Sequence, residues 1–268
     1  MPDDRRLMGC VTLVFGGVLL LASFPSGQAP GPQGPPGQQG PAKAPRKLEN
    51  LQVLPKDSTR EQVIARMREF TFALGVRCDH CHDVPEGTPL DQADLASDVK
   101  EAKKKARVMM KMTADINNKM LPDLPSRHTP AVRVDCVTCH RGVAVPRTLD
   151  AVLTEVIEKE GIDGAIARYR ELRKDLALGR YNFGELSLLE LARARNQASK
   201  PDEAIALLEL NAEMHPQSGM TDFQLAELYR ARGDKDKAIA RYKSAIEKEK
   251  GPAANRARQR LKELESKP

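Results

Sequence analysis

Two pentapeptides constrain this chain more than anything else in it: Cys78-Asp79-His80-Cys81-His82 and Cys136-Val137-Thr138-Cys139-His140. Both read Cys-x-x-Cys-His, the attachment signature of a c-type haem. Two thiols three residues apart on a helical turn can reach the two vinyl groups of one porphyrin, and the following histidine then points at the iron. The spacing therefore implies covalent haem at Cys78 and Cys81, and again at Cys136 and Cys139, with His82 and His140 as proximal ligands.

Other readings of four cysteines account for less. A single tetrahedral zinc site could use both pairs, but it needs no histidine after each pair, and the pairs stand far apart for a zinc ribbon. A thioredoxin-like redox pair would need a strand–helix–strand context that the pattern lacks. Structural disulfides suit an exported chain and leave both histidines unexplained. Composition adds a physical reason for haem. The 268 residues include no tryptophan and only 4% aromatic side chains. Between Lys47 and Arg147 the aromatic side chains are Phe70 and Phe72. Two buried porphyrins would supply the missing apolar mass.

The far side of each iron needs a second ligand, commonly His or Met, and Met raises the potential. Apart from the two motif-terminal residues, the histidines are His80, His128 and His215. His80 is pinned inside the first motif. Methionines lie where helices precede the motifs. Residues 59–74 place Val63, Ile64, Met67, Phe70 and Leu74 on one helical face, with Ser58 or Thr59 as cap. A second helix is expected over about 98–119, with Met109, Met112, Ile116 and Met120 on one face. Methionine is more often core filler than ligand. Beside two haem motifs and so few histidines, one methionine ligand per haem is the better reading.

At the start of the chain, Arg5 and Arg6 precede an almost wholly apolar run from Leu7 to Phe24. Such a segment (1–27) reads as a signal peptide or an uncleaved membrane anchor, with the anchor slightly favoured. Leu7-Met8-Gly9-Cys10 resembles a lipobox but precedes the apolar run, which argues against lipidation. Either way the rest of the chain is expected on the periplasmic side of a bacterial inner membrane, tethered or soluble. Residues 28–46, rich in Pro, Gly and Gln, form a semi-extended linker. The formal charge of +6 is spread thinly, +2 over 1–46, +3 over 47–147 and +1 over 148–268. No segment carries the concentrated basic face of a nucleic-acid binder.

From Leu149 onward the pattern is helical. Leu191-Ala192, Ala204 and Leu208 recur as Leu225-Ala226, Ala238 and Tyr242 at a 34-residue period, the small and large positions of a tetratricopeptide repeat. Residues 150–172 read as a weaker first hairpin, 181–184 as a looser connection, and 253–264 as a terminal helix. The expected fold is mainly α: a helical dihaem domain over 47–147, followed by an α-solenoid of tetratricopeptide-like hairpins over 148–268. Such arrays bind peptides or proteins, or serve as spacers. His215, before Pro216, is expected to be solvated. The array holds no catalytic constellation, and the chain is not expected to be an enzyme.

Residues 50–146 resemble the cytochrome c subunit family of photosynthetic reaction centres. The carrying segments are Arg66-Met67-Arg68-Glu69-Phe70 leading to the first motif, Ala106–Asn118, and Val134–Gly142 around the second. The resemblance implies units of a Met-bearing helix, a turn and a helix with the attachment motif. It puts the axial ligands on Met67 and on Met109, the first Met of Met-x-x-Met-Thr. The photosynthetic subunits usually carry four haems, whereas this chain has motifs for two. His128 lies where the larger proteins place a ligand to a further haem, so here it is expected to be a surface or propionate-contacting residue. The function implied is single-electron transfer between a redox donor and an acceptor, with a membrane complex among the partners such a subunit serves. Competing readings are a photosynthetic donor docked on a reaction centre, a haem enzyme with an open iron position, and a scaffold built around the repeats.

Overall fold

A computed structural model describes residues 47–126 and 129–266. The expectations for the apolar start, Cys10, the 28–46 linker and His128 fall outside the described residues. The architecture is mainly α, and among the described residues the sole extended pairing is one bridge between Asp83 and Asp94. No described helix is long and apolar enough to cross a membrane.

Helix α1 spans Arg60–Leu74. Thr59 caps it in a capping box with Gln62, and Gly75 ends it in the left-handed region at φ 65°. Those devices satisfy the free N–H groups at one end and stop the helix at the other. A single 3₁₀ turn, Cys78–His80, carries the first motif. Helix α2 is Glu101–Asp115. It begins later than the periodicity suggests because Asp98 is engaged in an ion cluster and the Ser97 hydroxyl accepts the Val99 N–H. A π-helical turn, Ile116–Met120, continues it. Helix α3, Cys136–His140, is the second motif.

The repeat region follows. Helix α4 runs Leu149–Arg173 but breaks at Gly161, whose φ of 78° and ψ of −176° leave two helical halves. The expected first hairpin is therefore two helical segments joined through one glycine, with no multi-residue turn. The remaining helices are α5 (Glu185–Gln197), α6 (Pro201–Met214), α7 (Gly219–Arg232), α8 (Lys235–Lys248) and α9 (Pro252–Glu265). Helices α5 and α6 pack as one antiparallel hairpin and α7 and α8 as another, with α9 against α8. The periodic positions Leu191, Ala192, Ala204, Leu208, Leu225, Ala226, Ala238 and Tyr242 are all buried.

Burial divides the chain sharply. The continuous hydrophobic core runs from Leu149 to Ala257. Between Lys47 and Arg147 the buried residues are Ala73 and Ala93 alone among those described. In the same stretch Ile64, Phe72, Leu90, Val99, Met109 and Val137 are exposed. A helical segment of about a hundred residues cannot repay its ordering entropy with two buried alanines. Those apolar side chains need something to cover them.

Candidate haem sites

Each motif forms a helical turn, as the spacing requires. In the first, the Cys81 and His82 N–H groups both reach the Cys78 carbonyl, at 3.3 and 3.0 Å. In the second, Asp135 caps α3 in a box with Thr138, and Arg141 in the left-handed region ends it. No disulfide joins the four motif cysteines. Burial first, then the neighbouring Cys78, pushes the Cys81 thiol above its ordinary range, and burial likewise raises Cys136. That is the opposite of the electropositive setting that makes a reactive thiolate. Among the described residues no group of three or more His, Cys, Asp or Glu is arranged to hold a metal ion, so the thiols do not converge on a zinc-type site.

The two histidines share one geometry. His82 Nδ1 lies 2.9 Å from the Leu95 carbonyl oxygen, and His140 Nδ1 lies 2.9 Å from the Val143 carbonyl oxygen. A carbonyl only accepts, so each Nδ1 carries a proton, and in the neutral ring Nε2 is the nitrogen with the lone pair. Fixing one ring nitrogen this way orients the other as a metal ligand. Burial, and then the Lys103 charge, lowers the pKa of His82 and keeps its imidazole neutral.

Beside the first motif lies an open cleft of about 490 Å³ lined by Thr71, Val76, Cys78, Val84, Pro85 and Leu90, among others. Its size falls within the roughly 300–1,000 Å³ usual for cofactor sites. Met67 is half-buried and stands one turn before Thr71 on the same face of α1. Met109 is 39% exposed and Met112 46%, while Met110 is half-buried, and α2 has no buried residue. Helix α2 is nevertheless tied to the entry of the second motif. Asn117 donates from Nδ2 to the Val134 carbonyl at 2.7 Å and accepts the Val134 N–H at Oδ1, 2.8 Å away.

Two further contacts escaped the sequence reading. The Gly142 N–H donates to the Ala73 carbonyl at 2.8 Å, locking the end of α1 onto the loop after the second motif. Lys103, in a run of three lysines, donates to the Leu95, Ala96 and Ser97 carbonyls. His215 also departs from expectation. It is half-buried, with Nε2 3.1 Å from the Phe183 carbonyl oxygen.

Residues 26–171 match the model of the family described as photosynthetic reaction centre cytochrome C subunit, and residues 223–254 match a tetratricopeptide repeat. The first match covers more than half of the sequence. The chain belongs to the photosynthetic reaction centre cytochrome C subunit family. Membership implies a haem cofactor and redox partners, and the repeat implies protein interaction. This cytochrome subunit thus joins the family's haem region to a helical repeat region. No curated protein matches it. Among solved structures it is similar to the crystal structure of PcrH from Pseudomonas aeruginosa, at 21% identity over 44% of this chain and 89% of that one, with a TM-score of 0.31.

Proposed function

We propose that the chain is an exported dihaem c-type cytochrome that passes single electrons between a donor and an acceptor. The observation that carries the proposal is the mirrored hydrogen bond at His82 and His140, each with Nδ1 on a carbonyl and Nε2 free. The nearly coreless segment between Lys47 and Arg147 supports it, because two porphyrins would cover the exposed apolar side chains. When bound, the haems supply the ferric–ferrous couple.

The residues divide the work. Cys78 and Cys81 tether one haem, and Cys136 and Cys139 the other. His82 and His140 offer Nε2 to the two irons. Met67 completes the first site, supported by its place one turn from the cleft residue Thr71. Met109 completes the second, supported by the Asn117 clamp between its helix and the motif. The capping of α1 and α3 fixes the directions in which these groups project. The proposed modules are a haem domain over 47–147 and a partner-binding array over 148–268. The apolar start would deliver both to the periplasmic side of the inner membrane, as an anchor or a cleaved signal.

Family membership favours one narrower reading, a donor docked on a photosynthetic reaction centre. A spectroscopic redox titration of the holoprotein tests the proposal. Two one-electron waves with spectra of His–Met ligation are expected. An open, high-spin iron at either site would instead point to a haem enzyme.

A further inference from the structure

The first motif's histidine shares its carbonyl with a lysine. Leu95 O accepts His82 Nδ1 at 2.9 Å and Lys103 Nζ at 3.0 Å. The same ammonium donates to the Ala96 and Ser97 carbonyls, both at 2.8 Å, and lies 3.3 Å from Asp98 Oδ1. Its side chain is only 13% exposed. Lysine ammonium groups are ordinarily kept in water; this one spends its protons on the loop that holds His82. Asp98 is also gripped by both Arg107 amino groups at 2.8 Å. Asp94 adds a second carboxylate to the same loop, its Oδ1 accepting the Ala96 and Ser97 N–H groups at 3.0 and 3.1 Å, so Lys103 and Arg107 face two acidic groups. The second motif is built differently: among the described residues, Val143 O receives His140 with no lysine or arginine hydrogen-bonded to the same oxygen, the nearby Arg180 standing against Gly142 instead.

We propose that Lys103 raises the reduction potential of the haem held by the first motif, acting through the Leu95 carbonyl it shares with His82. The inference rests on the reading of His82 as an iron ligand. Two effects work in the same direction. A carbonyl oxygen polarised towards an ammonium is a weaker acceptor, so the His82 N–H is held less strongly and the imidazole is a poorer electron donor. The ammonium charge of Lys103, close to the His82 side of the site, also disfavours the more highly charged ferric state. Lys103 is thus a positioning residue that sets the two irons apart in potential.

The test compares holoprotein variants by spectroscopic redox titration. Lys103→Gln keeps donors to the carbonyls but loses the charge. It should lower one of the two midpoints, changing the ferrous-to-ferric ratio at fixed poise roughly tenfold, ~59 mV for one electron. Lys103→Arg should restore it, and the other midpoint should stay put. Asp98→Asn removes the negative partner and leaves Lys103, so the same midpoint should rise. In ferrous protein carrying isotope-labelled histidine, the His82 Nδ1 resonance should move in Lys103→Gln while that of His140 does not. A fall in potential in both Lys103→Gln and Asp98→Asn would mean the loop is merely loosened, and would overturn the proposal. So would two unmoved midpoints. Failure of the underlying reading looks different: the unaltered protein would then lack haem at Cys78 and Cys81, or show no His82 ligation.

Discussion

A Cβ built on Gly75 would lie 2.2 Å from the carbonyl oxygen of Gly142. The end of the first haem-site helix therefore touches backbone just past the second attachment motif, and the adjoining Gly142 N–H bond to Ala73 seals the contact. Gly75 is needed twice, for its left-handed φ of 65° and for this approach. Gly142 also has positive φ, but a Cβ there would meet Arg180 Nε at an ordinary 3.5 Å. Left-handed backbone alone costs a non-glycine residue about 1–2 kcal/mol. Gly75→Ala should therefore destabilise the haem region by clearly more than that, and Gly142→Ala by about that amount, as read by thermal unfolding of the holoprotein. Equal losses would show that the close approach is relaxed in solution.

The axial methionines can be separated by substitution. Met67→Ala and Met109→Ala should each abolish about half of the thioether-to-ferric absorption and lower one midpoint, since methionine ligation favours the ferrous state. Met110 points about 100° around α2 from Met109, so Met110→Ala should leave the spectrum intact. Ligand loss in Met110→Ala or Met112→Ala would shift the register of the second site. Ligand loss in His128→Ala would make one haem bis-histidine.

Much of this architecture was legible because local chemistry signalled it. Thr59, one of the two caps the sequence offers, does cap α1, and the 34-residue period falls on buried positions. The attachment motifs form the helical turns their spacing demands. Other features have no short-range signal. Lys103 sits among lysines and is singled out only when the 95–97 carbonyls fold back around it. Asn117 pairs with Val134 across 17 residues. Residues 150–172 read as a hairpin without a located break at Gly161, because a helical pattern on both sides does not say how many residues separate two helices. His215 looked solvated because its acceptor, the Phe183 carbonyl, lies in a distant loop.

The repeat region contains a fully buried carboxylate, Asp222, bonded to Arg241 at 2.8 Å, Ser244 at 2.7 Å and Lys248 at 2.6 Å. Burial opposes its ionisation, but bonds from Lys248, Ser244 and Arg241 prevail and hold its pKa below the usual value. A depressed folded-state pKa adds stability above the unfolded carboxylate value, about 3.9, and loses it as pH falls through the folded value. Asp222→Asn should cost about 2 kcal/mol at neutral pH and flatten the acid limb of the stability profile, as chemical denaturation across pH would show. An unchanged acid limb would assign that pH dependence to other groups.

Residues 148–268 should fold as a separate helical unit, because the hydrophobic core is drawn entirely from Leu149 to Ala257. Circular dichroism of that fragment should give a cooperative helical melt. Arg180 approaches Gly142, so the fragment should be slightly less stable than the same region in the full chain. A disordered fragment would mean that the array depends on docking against the haem region.

The central claim is that two porphyrins are covalently held where the chain lacks a core of its own. Intact mass measurement of protein matured by a cytochrome c assembly system in the periplasm tests it most directly. The account predicts the polypeptide mass plus two haems, falling to one haem when Cys78 and Cys81, or Cys136 and Cys139, are replaced by alanine. A folded, haem-free domain carrying a single zinc ion would contradict it.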